Sequence, residues 1–137
     1  MILSKVQREA LKQMFNGRCA YCGCHLGERW HADHVESVRR INKWVSTGHG
    51  HGKFVFTGQY NSPENNRHDN LMPACIACNI NKADSSLESW RNILARRIEV
   101  LNKNSSAYQF AKRYGLVKET GAPVIFYFET FKAEVAA

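Results

Sequence analysis

The sequence predicts a small α+β domain in which a metal ion ties two distant segments together. Three observations carry that expectation. Two C-x-x-C turns, Cys19–Cys22 and Cys75–Cys78, stand far apart in the chain. Two short runs, Trp30–Val35 and Asn70–Pro73, have the length and mixture of strands. Stretches following Ser4 and Ser85 open with capping boxes and carry apolar residues at helical spacing. With 137 residues and no linker rich enough to divide it, the chain reads as one domain over 1–137.

Taken in order, Ser4 and Gln7 form a capping box, and Val6, Ala10, Leu11 and Met14 follow on one broad face before Gly17 stops the helix. That helix leads into the first cysteine turn. Trp30–Val35 is the first expected strand. Residues 46–70 are rich in Gly, Asn and His around a Phe54–Phe56 run, which predicts a long irregular connection with room for a hairpin. Asn70–Pro73 is the second strand, and a helix is expected from about Cys75. Ser85 and Glu88 open the strongest helix, with a core stripe of Leu87, Trp90, Leu94, Ile98 and Leu101. Ala107–Tyr114 continues helical, Gly115 ends it, and Gly121–Pro123 turns into a final strand, Val124–Phe128. The expected extension beyond the cysteine region is thus helix and strand over 85–137.

Composition narrows the class. At 44% hydrophobic and 23% charged the chain is neither a disordered tail nor a fibre. Val124–Phe128 falls far short of the ~20 apolar residues a membrane span needs. The first eight residues show no pattern of a secretory signal, so a cytoplasmic protein without membrane attachment is expected.

In such a reducing compartment, paired cysteines more often hold metal than form disulfides. Each C-x-x-C turn brings two thiolates to one ion, and two turns fill a tetrahedral zinc shell with no position left for substrate. Cys19, Cys22, Cys75 and Cys78 are therefore expected to hold a structural Zn²⁺. Ligand sets drawing in Cys24 or His25, and a disulfide, are the alternatives.

The net charge is +7. Arg91, Arg96, Arg97, Lys103, Lys112, Arg113 and Lys118 face only Glu99, and Arg39, Arg40, Lys43 and Lys53 face only Glu36. Two readings fit these runs: solvated faces, or a surface for a polyanion such as nucleic acid.

Between the cysteine pairs lies His31-Ala-Asp33-His34, and the second pair runs on into Asn79 and Lys82. The Asp33–His34 pair offers a hard carboxylate for a divalent cation and an imidazole able to take a proton near neutral pH. Asn79, next to a metal-anchored cysteine, adds a neutral oxygen. Together these suffice for metal-assisted hydrolysis.

On these residues the chain resembles the HNH nuclease family. The likeness runs from about Cys19 to Lys82 and comprises both cysteine pairs, the Asp-His dipeptide, the asparagine opening the second strand, and the Asn-x-x-Lys end. Free-standing endonucleases of bacteriophages and mobile elements are the nearest in size and charge. The resemblance implies a ββα-metal core over about 19–82 and a DNA endonuclease working inside an infected or host bacterial cell. It implies His34 as general base, with Asp33 and Asn79 holding a single catalytic Mg²⁺ or Mn²⁺. Asn70 would hold the loop that fixes the base, and Lys82 would lie near the phosphate. Two features depart from the family pattern: Asn79 stands in place of the final motif histidine, and the insertion between His34 and Asn70 is unusually long.

Each assignment has a plainer counterpart. His34 can be a hydrogen-bonded strand histidine, His31 an exposed or structural one, Asn70 a turn residue and Lys82 a solvated helix-end lysine. His49 and His51 read first as incidental loop histidines, and Trp44 first as a packing residue. Phosphate contacts are expected from Arg39, Arg40 and Lys43 and from Arg96 and Lys103. The rival functions are a zinc-stabilised DNA-binding module that does not cut, and an RNase using the same site.

Overall fold

The computed structural model describes residues 2–133; Met1 and residues 134–137, part of the expected single domain, lie outside the described residues. It is a mixed helix and strand structure built around the four cysteines. Helix α1 (Lys5–Gln13) starts as expected: Ser4 Oγ accepts from Gln7 N at 3.2 Å, and Gln7 Oε1 accepts from Ser4 N at 2.9 Å. Of its expected apolar face only Leu11 is buried, while Val6 is 80% exposed. Leu11 is the helix's contribution to the core, and Phe15, just past the helix, is also buried, packing edge-on against Phe131.

Strand β1 (His31–His34) pairs antiparallel with β4 (Leu71–Ala74), Asp33 lying opposite Met72. Helix α2 (Ile76–Lys82) follows β4 directly, and Cys75 is its N-cap. Between β1 and β4 the chain makes a long hairpin, β2 (Arg39–Gly48) with β3 (His51–Asn61), which starts earlier and is more regular than the connection with room for a hairpin expected over 46–70. The Gly and His content belongs to its tip. Gly48 pairs with His51, and the intervening His49 and Gly50 both have positive φ, 51° and 77°. That is the backbone of a two-residue type I′ turn, whose twist matches its strands. Trp44, Val45 and Phe54–Phe56 then fall into cross-strand register and make the hairpin cohere.

Helix α3 (Leu87–Ala95) is capped by Ser86, one residue later than expected, through Ser89 N at 3.2 Å. It ends at Arg96, where α4 (Arg97–Asn104) sets off in a new direction and packs on α5 (Ser106–Arg113). The break divides the expected stripe: Trp90 is buried, with Leu87 and Leu94 beside it, but Ile98 and Leu101 are 42% and 36% exposed.

The expected strand Val124–Phe128 does not form. Its chain runs extended to Phe126 and then makes a helical turn, α6 (Tyr127–Thr130). Tyr127 N and Phe128 N bond to Tyr21 O and Ala20 O, so the segment closes over the first cysteine turn and joins no sheet. The anchor is a single ring, Phe126, stacked on Trp90 at 5.1 Å and edge-on to Tyr21 at 5.7 Å. Gly23 permits this closeness: a Cβ there would stand 2.9 Å from the Tyr127 ring. Leu11, Leu26, Trp30, Leu71 and Ala74 complete the core around Cys19 and Tyr21. Among the described residues no helix is long and apolar enough to cross a membrane.

Candidate metal centre and the cleft beside it

The first cysteine turn is a tight reversal in which Cys19 N donates to Cys24 O at 2.8 Å and Arg18 bridges His25. The second is the capped start of α2. Backbone N–H groups point at sulfur in both segments: Cys75 N donates to Cys19 Sγ and Cys78 N to Cys75 Sγ, each at 3.4 Å. The sulfurs of Cys19, Cys22, Cys75 and Cys78 all lie within 4.8 Å of one another, and those of Cys22 and Cys75 are 3.8 Å apart. A tetrahedral ion with Zn–S bonds of ~2.3 Å sets its sulfurs ~3.8 Å from each other. The four cysteines are thus positioned to hold a metal ion, and the donor set fits structural zinc.

A hydrogen bond from Cys78, aided by the N–H groups of Cys22, Cys75 and Tyr21, brings the Cys19 thiol down to about 4. The same interaction and burial push the Cys78 thiol up. Cys24 and His25 are both exposed and stand outside the group of four. All five cysteines are free, so the disulfide alternative is not realised.

Tyr21, between the cysteines of the first turn, connects this centre to β1. Its hydroxyl donates to Asp33 Oδ2 at 2.5 Å. Burial, and then the neighbouring Asp33 charge, push its phenol far up, so it keeps the proton it donates. Lys82, from the last turn of α2, reaches the same Oδ2 at 3.0 Å and also donates to His34 O at 2.8 Å. Sequence reasoning assigned Tyr21 no role, although its place inside the C-x-x-C turn marks it as rigidly held.

Asp33, His34 and Asn79 line one cleft of about 260 Å³, together with His31 and Asp84. Asp33 spends one oxygen on Tyr21 and Lys82. No buried polar side-chain atom among the described residues lacks a partner, so Oδ1, which accepts no hydrogen bond, keeps contact with solvent. His34 Nε2 lies 3.0 Å from Asn66 Oδ1. With Asn66 Oδ1 as the acceptor, the matching tautomer carries its proton on Nε2 and leaves the lone pair on Nδ1. Asn66 lies in an asparagine-rich loop with no periodicity, and nothing in the sequence singles it out.

Asn70 is buried and joins two loops: its Oδ1 accepts from Glu36 N at 2.9 Å, and its Nδ2 donates to Glu36 O and Asn65 O, each at 2.8 Å. Lys82 requires a correction. The family likeness places a lysine here near the phosphate, but this ammonium is wholly buried and committed to Asp33 and the His34 carbonyl. The helix end packs against β1 instead of facing solvent, so Lys82 is a buried partner of Asp33 and of the His34 carbonyl.

The expected phosphate-contacting residues are dispersed. Arg39 pairs with Asp84 at 2.7 Å, at the mouth of the cleft. Arg40 and Lys43 are exposed on the hairpin, Arg96 pairs loosely with Glu99 at 3.6 Å, and Lys103 is exposed at the end of α4. His49 and His51 stand at the hairpin tip and join no metal-binding group among the described residues. Trp44, read first as a packing residue, is 55% exposed. No protein-family model, curated protein or solved structure matches the chain.

Proposed function

We propose that this protein is a metal-dependent DNA endonuclease of the HNH type, with β1, β4 and α2 as its ββα core and the four-cysteine centre as its structural zinc site. The observation that carries this reading is the meeting of Asp33, His34 and Asn79 in one small cleft, beside a cluster built to hold a different ion. Asp33 Oδ1 and the Asn79 side-chain oxygen are the donors for a Mg²⁺ or Mn²⁺ ion, which would withdraw charge from the scissile phosphate and the departing 3′ oxygen. His34, its Nε2 proton engaged by Asn66, takes a proton from the attacking water at Nδ1. The water oxygen bonds to phosphorus as the bond to the 3′ oxygen breaks. Asn70 ties the loop after β1 in place, and the exposed cations of the hairpin and α4 supply phosphate contacts.

One observation favours a second reading, a zinc-stabilised DNA-binding module that does not cut. Lys82 already compensates Asp33, which weakens that carboxylate's pull on a cation. Incubating supercoiled plasmid with protein and Mg²⁺ or Mn²⁺ separates the two, with single-stranded RNA as a parallel substrate. Nicking or linearisation that His34→Ala abolishes supports the nuclease. A gel shift without cleavage supports the module, and cleavage of RNA alone makes the protein an RNase.

A further inference from the structure

The β2–β3 hairpin has two unlike faces. Cross-strand register sets Trp44 opposite Phe54, Asn42 opposite Phe56 and Arg40 opposite Tyr60. The Trp44 and Phe54 rings meet edge-on at 5.2 Å, Phe56 and Tyr60 lie 5.2 Å apart, and the Arg40 guanidinium covers the Phe56 ring at 5.3 Å. These side chains therefore share one face. Lys43 opposite Val55, and Lys53 opposite Val45, take the other.

None of the aromatic rings belongs to the core: Trp44 is 55% exposed, Phe54 70% and Tyr60 42%. Trp44 is nonetheless seated. Its ring lies over Gly52, where a Cβ would approach it to 2.4 Å, so the glycine is the gap that sets the indole's orientation. Exposed apolar clusters of this kind mark interaction surfaces.

Charge selects the partner. Arg39–Asn61 contains no acid, and Arg40, Lys43 and Lys53 form no ion pair among the described residues. The occupant is a polyanion that also offers flat apolar faces, and nucleic acid meets both terms. Within a duplex the bases hide those faces and show only edges, which Arg, Lys, Asn and Gln read best. Unpaired bases bare them, and aromatic platforms flanked by cations hold them by stacking.

We propose that Trp44 and Phe54 stack unpaired bases, and that the substrate class is DNA carrying a single-stranded segment, with Arg40, on the same face, meeting its backbone. The word substrate rests on the nuclease reading; the binding surface does not.

Tryptophan fluorescence tests this directly, because Trp30 and Trp90 are 6% and 2% exposed and Trp44 is the one tryptophan open to a ligand. The zinc-loaded full chain, with no other divalent ion added, is titrated with an oligothymidylate and with a blunt duplex of equal length. Saturable quenching is expected with the single strand, at concentrations about tenfold or more below those the duplex needs. By anisotropy of the labelled single strand, Phe54→Ala and Trp44→Ala each weaken binding ~5- to 100-fold. Zinc content and helical circular dichroism stay unchanged, since both residues lie outside the core. Gly52→Ala keeps every aromatic ring but sets a Cβ against both the indole and Val45 O at 2.7 Å, so it disturbs the seat and the strand pairing together and weakens binding in the same direction.

Equal affinity for duplex and single strand, or wild-type binding by Trp44→Ala and Phe54→Ala, overturns the proposal. So does a wild-type dimer that Phe54→Ala converts to monomer, which would place a second copy on this face. Quenching without any cleavage in Mg²⁺ or Mn²⁺ removes the nuclease reading and leaves the stacking surface standing.

Discussion

Lys82 holds its ammonium 3.0 Å from Asp33 Oδ2 with none of its side chain exposed, and Asp33 itself is only 7% exposed. The pair is the centre of a network that joins three elements. Tyr21 brings in the first cysteine turn, the carbonyl of His34 brings in β1, and Lys82 brings in the end of α2. A buried ion pair of this kind adds little stability over an apolar replacement but makes the loss of either partner expensive. Its consequence here is geometric: Asp33 Oδ2 is fixed by two donors, while Oδ1 accepts no hydrogen bond among the described residues.

Lys82→Met accordingly leaves Asp33 buried without its cation and is expected to destabilise the fold by about 3–5 kcal/mol, measured by urea unfolding. DNA affinity should keep the salt dependence of the wild type in whatever fraction remains folded. A lysine on phosphate would instead take about one unit off the log–log salt slope when removed. Unchanged stability with a shallower slope would return Lys82 to the phosphate.

Replacing His34 by Ala is expected to lower the cleavage rate at least ~10²-fold with zinc content intact, the lower end for loss of a general base. Asn66 touches the ring but no reacting atom, so Asn66→Ala should lower kcat by less, up to ~10²-fold, and leave DNA affinity unchanged. Asn66→Asp preserves an acceptor for Nε2–H and should recover part of the rate. Equal rates for Asn66→Ala and wild type would remove this residue from the site.

The cations of α4 make a graded comparison. Lys103 has no ion pair among the described residues, whereas Arg96 has Glu99 at 3.6 Å, both largely exposed. Lys103→Gln should reduce the salt slope of DNA binding by about one unit if it meets a phosphate. Arg96→Gln should reduce it less, because Glu99 already offsets part of its charge. An identical slope in both variants places the DNA surface on the hairpin alone.

The parts of the fold legible in sequence are those set by local chemistry. The Ser4 capping box, the paired cysteines and the two short strands need only neighbouring residues to declare themselves. A hairpin within 46–70 is legible, but its full length from Arg39 is not, because Gly48, Gly50 and Gly52, strong loop signals, sit at a type I′ tip and under an indole. Val124–Phe128 is apolar enough for a strand, yet no strand edge lies beside it; burying Phe126 under Trp90 decides its course. At the cleft, Asp33, His34 and Asn79 line one space, although neighbours on a regular strand point to opposite faces and only the family resemblance suggests the grouping. What Lys82 does is illegible, because a lysine at a helix end faces solvent or core according to packing that only the folded chain defines.

Acid should loosen the C-terminal segment. Glu129 is held below the usual carboxylate range, chiefly by Arg91, which also donates to Val124 O at 2.7 Å. In the unfolded chain the same carboxyl titrates normally. Its contribution is therefore complete above the ordinary glutamate range and is lost as pH falls through the folded value. Glu129→Gln should be less stable than wild type at neutral pH, and the difference should shrink on acidification. Comparing urea midpoints of the two proteins cancels the other carboxyl groups. A gap that holds constant into strong acid would contradict the linkage.

If the cleft holds the catalytic cation proposed above, it and the four-cysteine centre should part company under a chelator. Four thiolates closing a shell around zinc bind tightly, while one carboxylate oxygen and one amide oxygen, open to solvent, hold a hard cation weakly and exchange it. Brief treatment with a mild chelator should stop cleavage with one zinc per chain still bound and the helical signal unaltered. Mg²⁺ or Mn²⁺ should then restore cleavage. Cys75→Ser should behave otherwise, because Cys75 is both a candidate ligand and the N-cap of α2, accepting from Cys78 N. Zinc and helicity should be lost together, since the ion and the packing of α2 on β1 stabilise one another. Zinc content and activity measured on the same sample decide the matter. If zinc alone revives the chelated protein and Mg²⁺ and Mn²⁺ never do, one ion serves both roles and the cleft has been assigned wrongly.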